Sequence, residues 1–123
     1  MDFDAVRQHL ASKTGATEEY PFDPQTLVFK VGGRMFALVA LDEEPPRVTL
    51  KCDPMEAKAL RDAHAAVRPG YHMNKAHWNT VALDGSIADD QIQEMMDDSY
   101  ALVVQTLKKA EREQLKQGGG QPT

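Results

Sequence analysis

The sequence predicts an α+β domain, an antiparallel sheet with helices packed on it, in the order α-β-β-β-α-β-α. Three observations predict it. Two β-rich runs, TLVFKV and RMFALVAL, flank Gly32-Gly33, and a two-residue primed hairpin turn favours glycine at both central positions. Asp53-Pro54-Met55-Glu56 is a strong helix start that directly follows an alternating stretch. From Ala88 to Ala110 the apolar residues keep one helical face.

Taken in order, Asp2 can cap a first helix. Phe3, Val6 and Leu10 fall on one of its faces, and Gly15 is a stop. YPFDP breaks the helix, because proline lacks an N–H and restricts the residue before it. The hairpin follows, and its second run, Met35 to Leu41, is apolar on both faces, as a central strand is. After the turn DEEPP, RVTLKC alternates. Val48, Leu50 and Cys52 are expected to face the core, with Arg47, Thr49 and Lys51 facing out. In the next helix Ala57, Leu60, His64 and Val67 share a side, and Pro69-Gly70 is its expected end. HWNTVAL reads as a short strand closed by the turn Asp84-Gly85. A long amphipathic helix then starts near Ala88. Asp89 and Asp90 suit the positive end of its dipole, and Lys108, Lys109 and Arg112 its far end.

The 123 residues suffice for one domain with a real core. Residues 1–117 are expected to form it, with 118–123 a flexible tail. No apolar run approaches the ~20 residues that span a bilayer. The N-terminus lacks the basic and apolar regions of a secretory signal, and Cys52 is the single cysteine. A cytoplasmic protein with no membrane association is the expectation. The net charge of −5 opposes non-specific attraction to nucleic acid, but it is unevenly spread. Residues 1–46 and 84–123 each carry −4, whereas residues 47–83 carry +3.

RPGYHMNKAHWNTVAL, residues 68–83, lies in that basic third and gathers Tyr71, His72, Asn74, Lys75, His77 and Trp78. His72 and His77 are five residues apart, which points them apart on a helix and to opposite faces on a strand, so no chelate is ready-made. Cys52 reads as a small buried hydrophobe at the end of a strand, although the helix start beyond it could lower a thiol pKa. No nucleophile elbow, zinc-protease or phosphate-loop pattern is present. No metal, cofactor or catalytic residue is therefore expected. As the single tryptophan, Trp78 is expected to anchor the fold together with Tyr71, and Asn74 and Lys75 to face solvent.

The chain resembles the MmcQ/YjbR family of small bacterial proteins over nearly its whole length. The resemblance is carried by VFKVGGRMFAL (28–38), LKCDP with Glu56-Ala57 and Leu60-Arg61, PGYHMNKAHWNTV (69–81) and LDGSI…DDSYALV (83–103). Where the family reads Lys-Lys-His-Trp, this chain has Lys75-Ala76-His77-Trp78. The resemblance implies a CyaY-like, "double wing" fold, a DNA-binding role by analogy of shape, and no catalytic residues.

The expected function is a non-enzymatic binding domain that holds DNA weakly through a basic surface in residues 47–79. Its candidate residues are Arg47, Lys51, Lys58, Arg61, Arg68, Asn74, Lys75, His77 and Trp78, since cations beside aromatics suit phosphates and stacked bases. The alternative is a protein- or peptide-binding adaptor, suggested by the acidic flanks, the six methionines and the sheet face that a CyaY-like fold exposes. A small-molecule or metal site around His72, His77 and Cys52 is a lesser reading.

Overall fold

The computed structural model describes residues 1–70 and 73–119. The chain forms α1 (Phe3–Ala11), β1 (Thr17–Glu19), β2 (Thr26–Val31), β3 (Arg34–Ala40), β4 (Arg47–Lys51), α2 (Pro54–Ala63), β5 (Val67–Pro69), β6 (Trp78–Ala82), α3 (Asp89–Gln105) and α4 (Lys109–Gly119). The strands make one six-stranded sheet in the order β1-β2-β3-β4-β6-β5, antiparallel at every pairing. The α+β class is as predicted.

The local signals act as read. Asp2 accepts from the Ala5 N–H at 2.9 Å. Asp53 accepts from the N–H groups of Met55 and Glu56 at 3.1 and 3.4 Å, with Pro54 opening α2. Gly32 and Gly33 turn the β2–β3 hairpin at φ +58° and +78°.

The helices pack on one sheet face. Leu27, Phe29 and Val31 of β2, Val39 of β3, Val48 and Leu50 of β4 and Val81 of β6 meet Val6 and Leu10 of α1 and Ile92, Met96 and Val103 of α3. Burying these side chains is the main source of stability, at roughly 1.5–3 kcal/mol each before the entropy of ordering is set against it. Phe36 reaches the same core through a bulge. The β2–β3 register shifts beside it, and its ring packs edge-on against Tyr100 of α3, with centroids 5.3 Å apart.

Three parts of the expected order need correction. Two three-residue strands, β1 and β5, pair at the sheet edges where none was expected. The second helix ends at Ala63 rather than at Pro69-Gly70. His64 is its extended C-cap and Val67 belongs to β5, where pairing with Val81 outweighs the good helix propensity of the alanine-rich stretch. The single long last helix is two helices. The Thr106 hydroxyl donates to the Val103 carbonyl at 2.7 Å, and the Arg112 guanidinium donates to the carbonyls of Leu107 and Gln105 at 2.9 and 3.3 Å. These bonds satisfy carbonyls that a helix end leaves open, so the chain turns without glycine or proline. Buried Leu107 sits beneath the hairpin, where a side chain on Gly32 would lie 2.7 Å from its Cδ2. Of the expected tail, residues 118 and 119 continue α4 and 120–123 lie outside the described residues.

Candidate functional site

Because α1, α2 and α3 all pack on one face, the period of two sends the alternate side chains of each strand to the other. Opposed residues of antiparallel strands point the same way, so the register fixes what that second face carries. Arg47, Thr49 and Lys51 of β4 lie opposite Ala82, Thr80 and Trp78 of β6, and Arg68 of β5 lies opposite Thr80. Arg47, Lys51, Arg68 and Trp78 thus share the face away from the helices. Lys51 and Trp78 are direct neighbours at one end. Arg47 stands four residues along β4, a rise of ~13 Å.

Between these ends the face is tied together by its hydroxyls. The Oγ1 atoms of Thr49 and Thr80 are 2.9 Å apart. Thr49 was expected to face out, and it does lie on this face, yet it is only 8% exposed. Gly70 explains part of that cover. Its N–H donates to the Trp78 carbonyl at 2.9 Å, and a Cβ on it would lie 3.0 Å from the Trp78 Cβ and 3.3 Å from the Thr49 Cγ2. Trp78 is half-buried here and lies outside the core cluster. That corrects its expected role as a core anchor, because pairing with Lys51 turns its ring away from the helices. Tyr71 and His72, the other residues considered there, lie outside the described residues.

The remaining candidates are placed elsewhere. Arg61 points into the fold between α2 and β6. It donates to the Asn79 Oδ1 at 2.7 Å, while the Asn79 amide donates to the Ala57 carbonyl at 3.2 Å. Asn79 is 3% exposed, so this pair clamps α2 to the sheet. Lys58 lies on α2, in the helix layer, and is bonded to Asp62 at 2.7 Å. Arg68 was expected on that helix and instead belongs to β5. Asn74 turns its side chain back on the chain, where its Oδ1 accepts from the Ala76 N–H at 3.0 Å. Lys75 is exposed, and its carbonyl accepts from Arg61 at 3.4 Å. His77 is half-buried and extends the β4–β6 pairing, its carbonyl accepting from the Cys52 N–H at 2.7 Å. Four of the nine candidates therefore gather on the open face, and the turn 74–77 borders its Lys51–Trp78 end.

Cys52 is buried, and its thiol is pushed up to about 11 by burial first and then by the charges of Glu56, Asp98 and Asp53. The neighbouring helix start does not lower it, so the structure offers no activated thiolate here. His64, expected on a helix face, meets the Gln91 side chain at 3.2 Å. Among the described residues no group of three His, Cys, Asp or Glu could hold a metal ion. No helix among them is long and apolar enough to cross a membrane.

Sequence reasoning missed Thr80 and the whole of β5, and it took Asn79 for part of the basic surface, whereas Asn79 is buried between α2 and the sheet. The alternation of β6 could have paired Thr80 with Thr49. Three residues with a proline give too little pattern to announce β5.

A family model described as YjbR matches residues 11–102. The Escherichia coli K12 protein YjbR, described as uncharacterised, is 40% identical over 117 residues, covering 95% of this chain and 99% of that one. The uncharacterised protein YyaQ of Bacillus subtilis is 26% identical over 111 residues, covering 79% and 93%. The crystal structure of the Deinococcus radiodurans protein DR2400 superposes with a TM-score of 0.88 at 41% identity, covering 94% of this chain and 88% of that chain.

Proposed function

The chain belongs to the YjbR family, and on that premise we propose that it is a small cytoplasmic DNA-binding domain that works without catalysis. The observation that carries the reading is the grouping of Arg47, Lys51, Arg68 and Trp78 on the sheet face that the helices leave open. Guanidinium and ammonium groups meet phosphates, and an indole on a sheet offers a stacking platform to an unpaired base. The +3 balance of residues 47–83 inside a chain of −5 supports a local attraction rather than a general one. Binding is weak and steeply salt-dependent on this account, because few cations take part and the rest of the surface repels.

The test is fluorescence anisotropy with labelled single-stranded and duplex oligonucleotides. Three phosphate contacts weaken duplex affinity roughly 40-fold between 50 and 200 mM salt, and single-strand affinity somewhat less. Trp78→Ala weakens single-strand binding by about 1–3 kcal/mol if the indole stacks on a base. Lys51→Ala lowers the salt slope by about one phosphate contact, while Lys58→Ala in the helix layer changes neither quantity. Absence of binding at 50 mM salt, or equal loss from Lys58→Ala, would overturn the reading.

A further inference from the structure

We propose that a pocket at the Arg47 end of the open face binds a small organic molecule through an oxyanion headgroup, a phosphate or a carboxylate, held between the guanidiniums of Arg47 and Arg68. The pocket has a volume of about 410 Å³ and lies where β4, β6 and β5 meet the α2–β5 connection and the turn after β6. Its apolar wall is Pro45, Ala65, Ala66 and Ala82, and its polar groups come from Arg47, Arg68 and Thr80, with Asp84 and Ser86 beside them. A few converging polar groups on an apolar wall, at this size, is the usual make-up of a small-ligand site. The volume well exceeds a bare phosphate ion, so the ligand carries an organic body that lies against the alanines.

The guanidiniums of Arg47 and Arg68 supply the chemistry. The Arg47 Nε is enclosed by the protein and has no hydrogen-bond partner among the described residues, so the terminal N–H groups are the donors that a ligand can reach. A guanidinium grips a carboxylate or phosphate through two parallel bonds. Other arginines of the chain have partners of their own: Arg7 is forked onto Glu18, at 3.0 and 2.8 Å, and Arg61 is bonded to Asn79. Among the described residues neither the Arg47 nor the Arg68 guanidinium has an ion-pair partner.

Asp84 does not fill the gap. Its Oδ1 accepts from the Ser86 hydroxyl at 2.6 Å and the Ser86 N–H at 2.9 Å. Those bonds hold the carboxylate below its ordinary range, so it stays ionised at neutral pH. Two guanidiniums and one carboxylate leave the pocket with a net charge of +1. That pattern suits a ligand whose acid group meets the arginines and whose hydroxyl or amino group donates toward Asp84.

The site shares Arg47 and Arg68 with the DNA reading but not Lys51 and Trp78, which do not line it, so saturation by a small acid without oligonucleotide binding, or the reverse, tells the two apart. The experiment is an amide NMR titration of the intact chain with adenosine monophosphate in one arm and citrate in the other, which separates phosphate from carboxylate. Expected is a saturable shift at residues 47, 66–68 and 80–86 in at least one arm. Arg47→Lys, which keeps the charge but loses the fork, and Arg68→Gln on the exposed strand each weaken binding about tenfold or more. An unchanged spectrum away from the pocket shows that both variants fold. No saturable shift in either arm up to about 10 mM, or wild-type affinity in both variants, overturns the proposal.

Discussion

The Ser99 hydroxyl donates to the Phe36 carbonyl at 2.5 Å, linking the middle of α3 to the middle of the sheet. The same oxygen accepts from the Lys51 N–H at 2.8 Å. The β3–β4 ladder stops at Ala37–Leu50, so a fully buried serine supplies the rung that the bulge at Phe36 leaves open. It also fixes the backbone of Lys51, whose side chain stands beside Trp78 on the other face.

Ser99→Ala therefore strands a carbonyl and an N–H inside the core. The expected loss is about 1–3 kcal/mol of unfolding free energy, far more than a surface serine would cost. Urea denaturation measures it as a lower midpoint at constant slope. An unchanged midpoint would mean that the rung carries no weight.

Cys52 is predicted to be inert in the native state. With its thiol pushed up to about 11, only of order one molecule in a thousand is thiolate at pH 8. Alkylation in native buffer should be slower than in denaturant by about a hundredfold or more. The raised value has a linked effect on stability. A thiol kept protonated by the fold contributes fully below its unfolded value near 9.0, and that contribution is lost as pH rises from there toward 11. Cys52→Ser should remove this alkaline component, read from melting temperatures across pH 8 to 11. Rapid native alkylation at pH 8 would contradict the burial.

Beside the apolar packing of α1 and α3, Asp97 is clasped by Lys13 and by His9 at 2.7 Å. Partial burial alone would raise this carboxyl, but the hydrogen bonds and charges of Lys13 and His9 outweigh it and lower the value. A lowered folded value contributes stability above the unfolded pKa of ~3.9, and that stability is lost as pH falls through the folded value. The Asp97 side chain is 46% exposed, so solvent screening keeps the effect small. Asp97→Asn should lower the melting temperature by roughly 2–4 °C at pH 7. The difference from wild type should shrink as pH falls below the unfolded value and vanish once pH is below the lowered folded value, where both side chains are neutral. A constant difference down to pH 2 would assign the effect to packing instead.

What was legible in the sequence was what neighbouring residues decide. Asp2, Asp53-Pro54 and Gly32-Gly33 act within a turn of the chain, and each sits where its chemistry requires. The period of two put Arg47 and Lys51 on one strand face correctly. The misses are all decided by distant groups. Val67–Pro69 becomes a strand only because β6 lies beside it, and the last helix breaks because Arg112 reaches back to carbonyls that it could have continued. Trp78 looked like an anchor by composition, whereas the β4–β6 register decides where its ring points. Arg61 looked like one more surface cation, and only the tertiary contact with Asn79 makes it a clamp. Arg68 joined the candidate face through β5, an element with no pattern of its own.

The two outermost strands, β1 and β5, are only three residues long. Edges this short offer little template for strand addition by another chain. β5 ends on Pro69, which has no N–H to offer, and β1 ends on Glu18-Glu19, whose charges a neighbouring copy would have to accommodate. The architecture therefore guards against lateral polymerisation at both margins. The sheet face that the helices leave uncovered is thus bounded by rims that are poor places for another chain to add a strand.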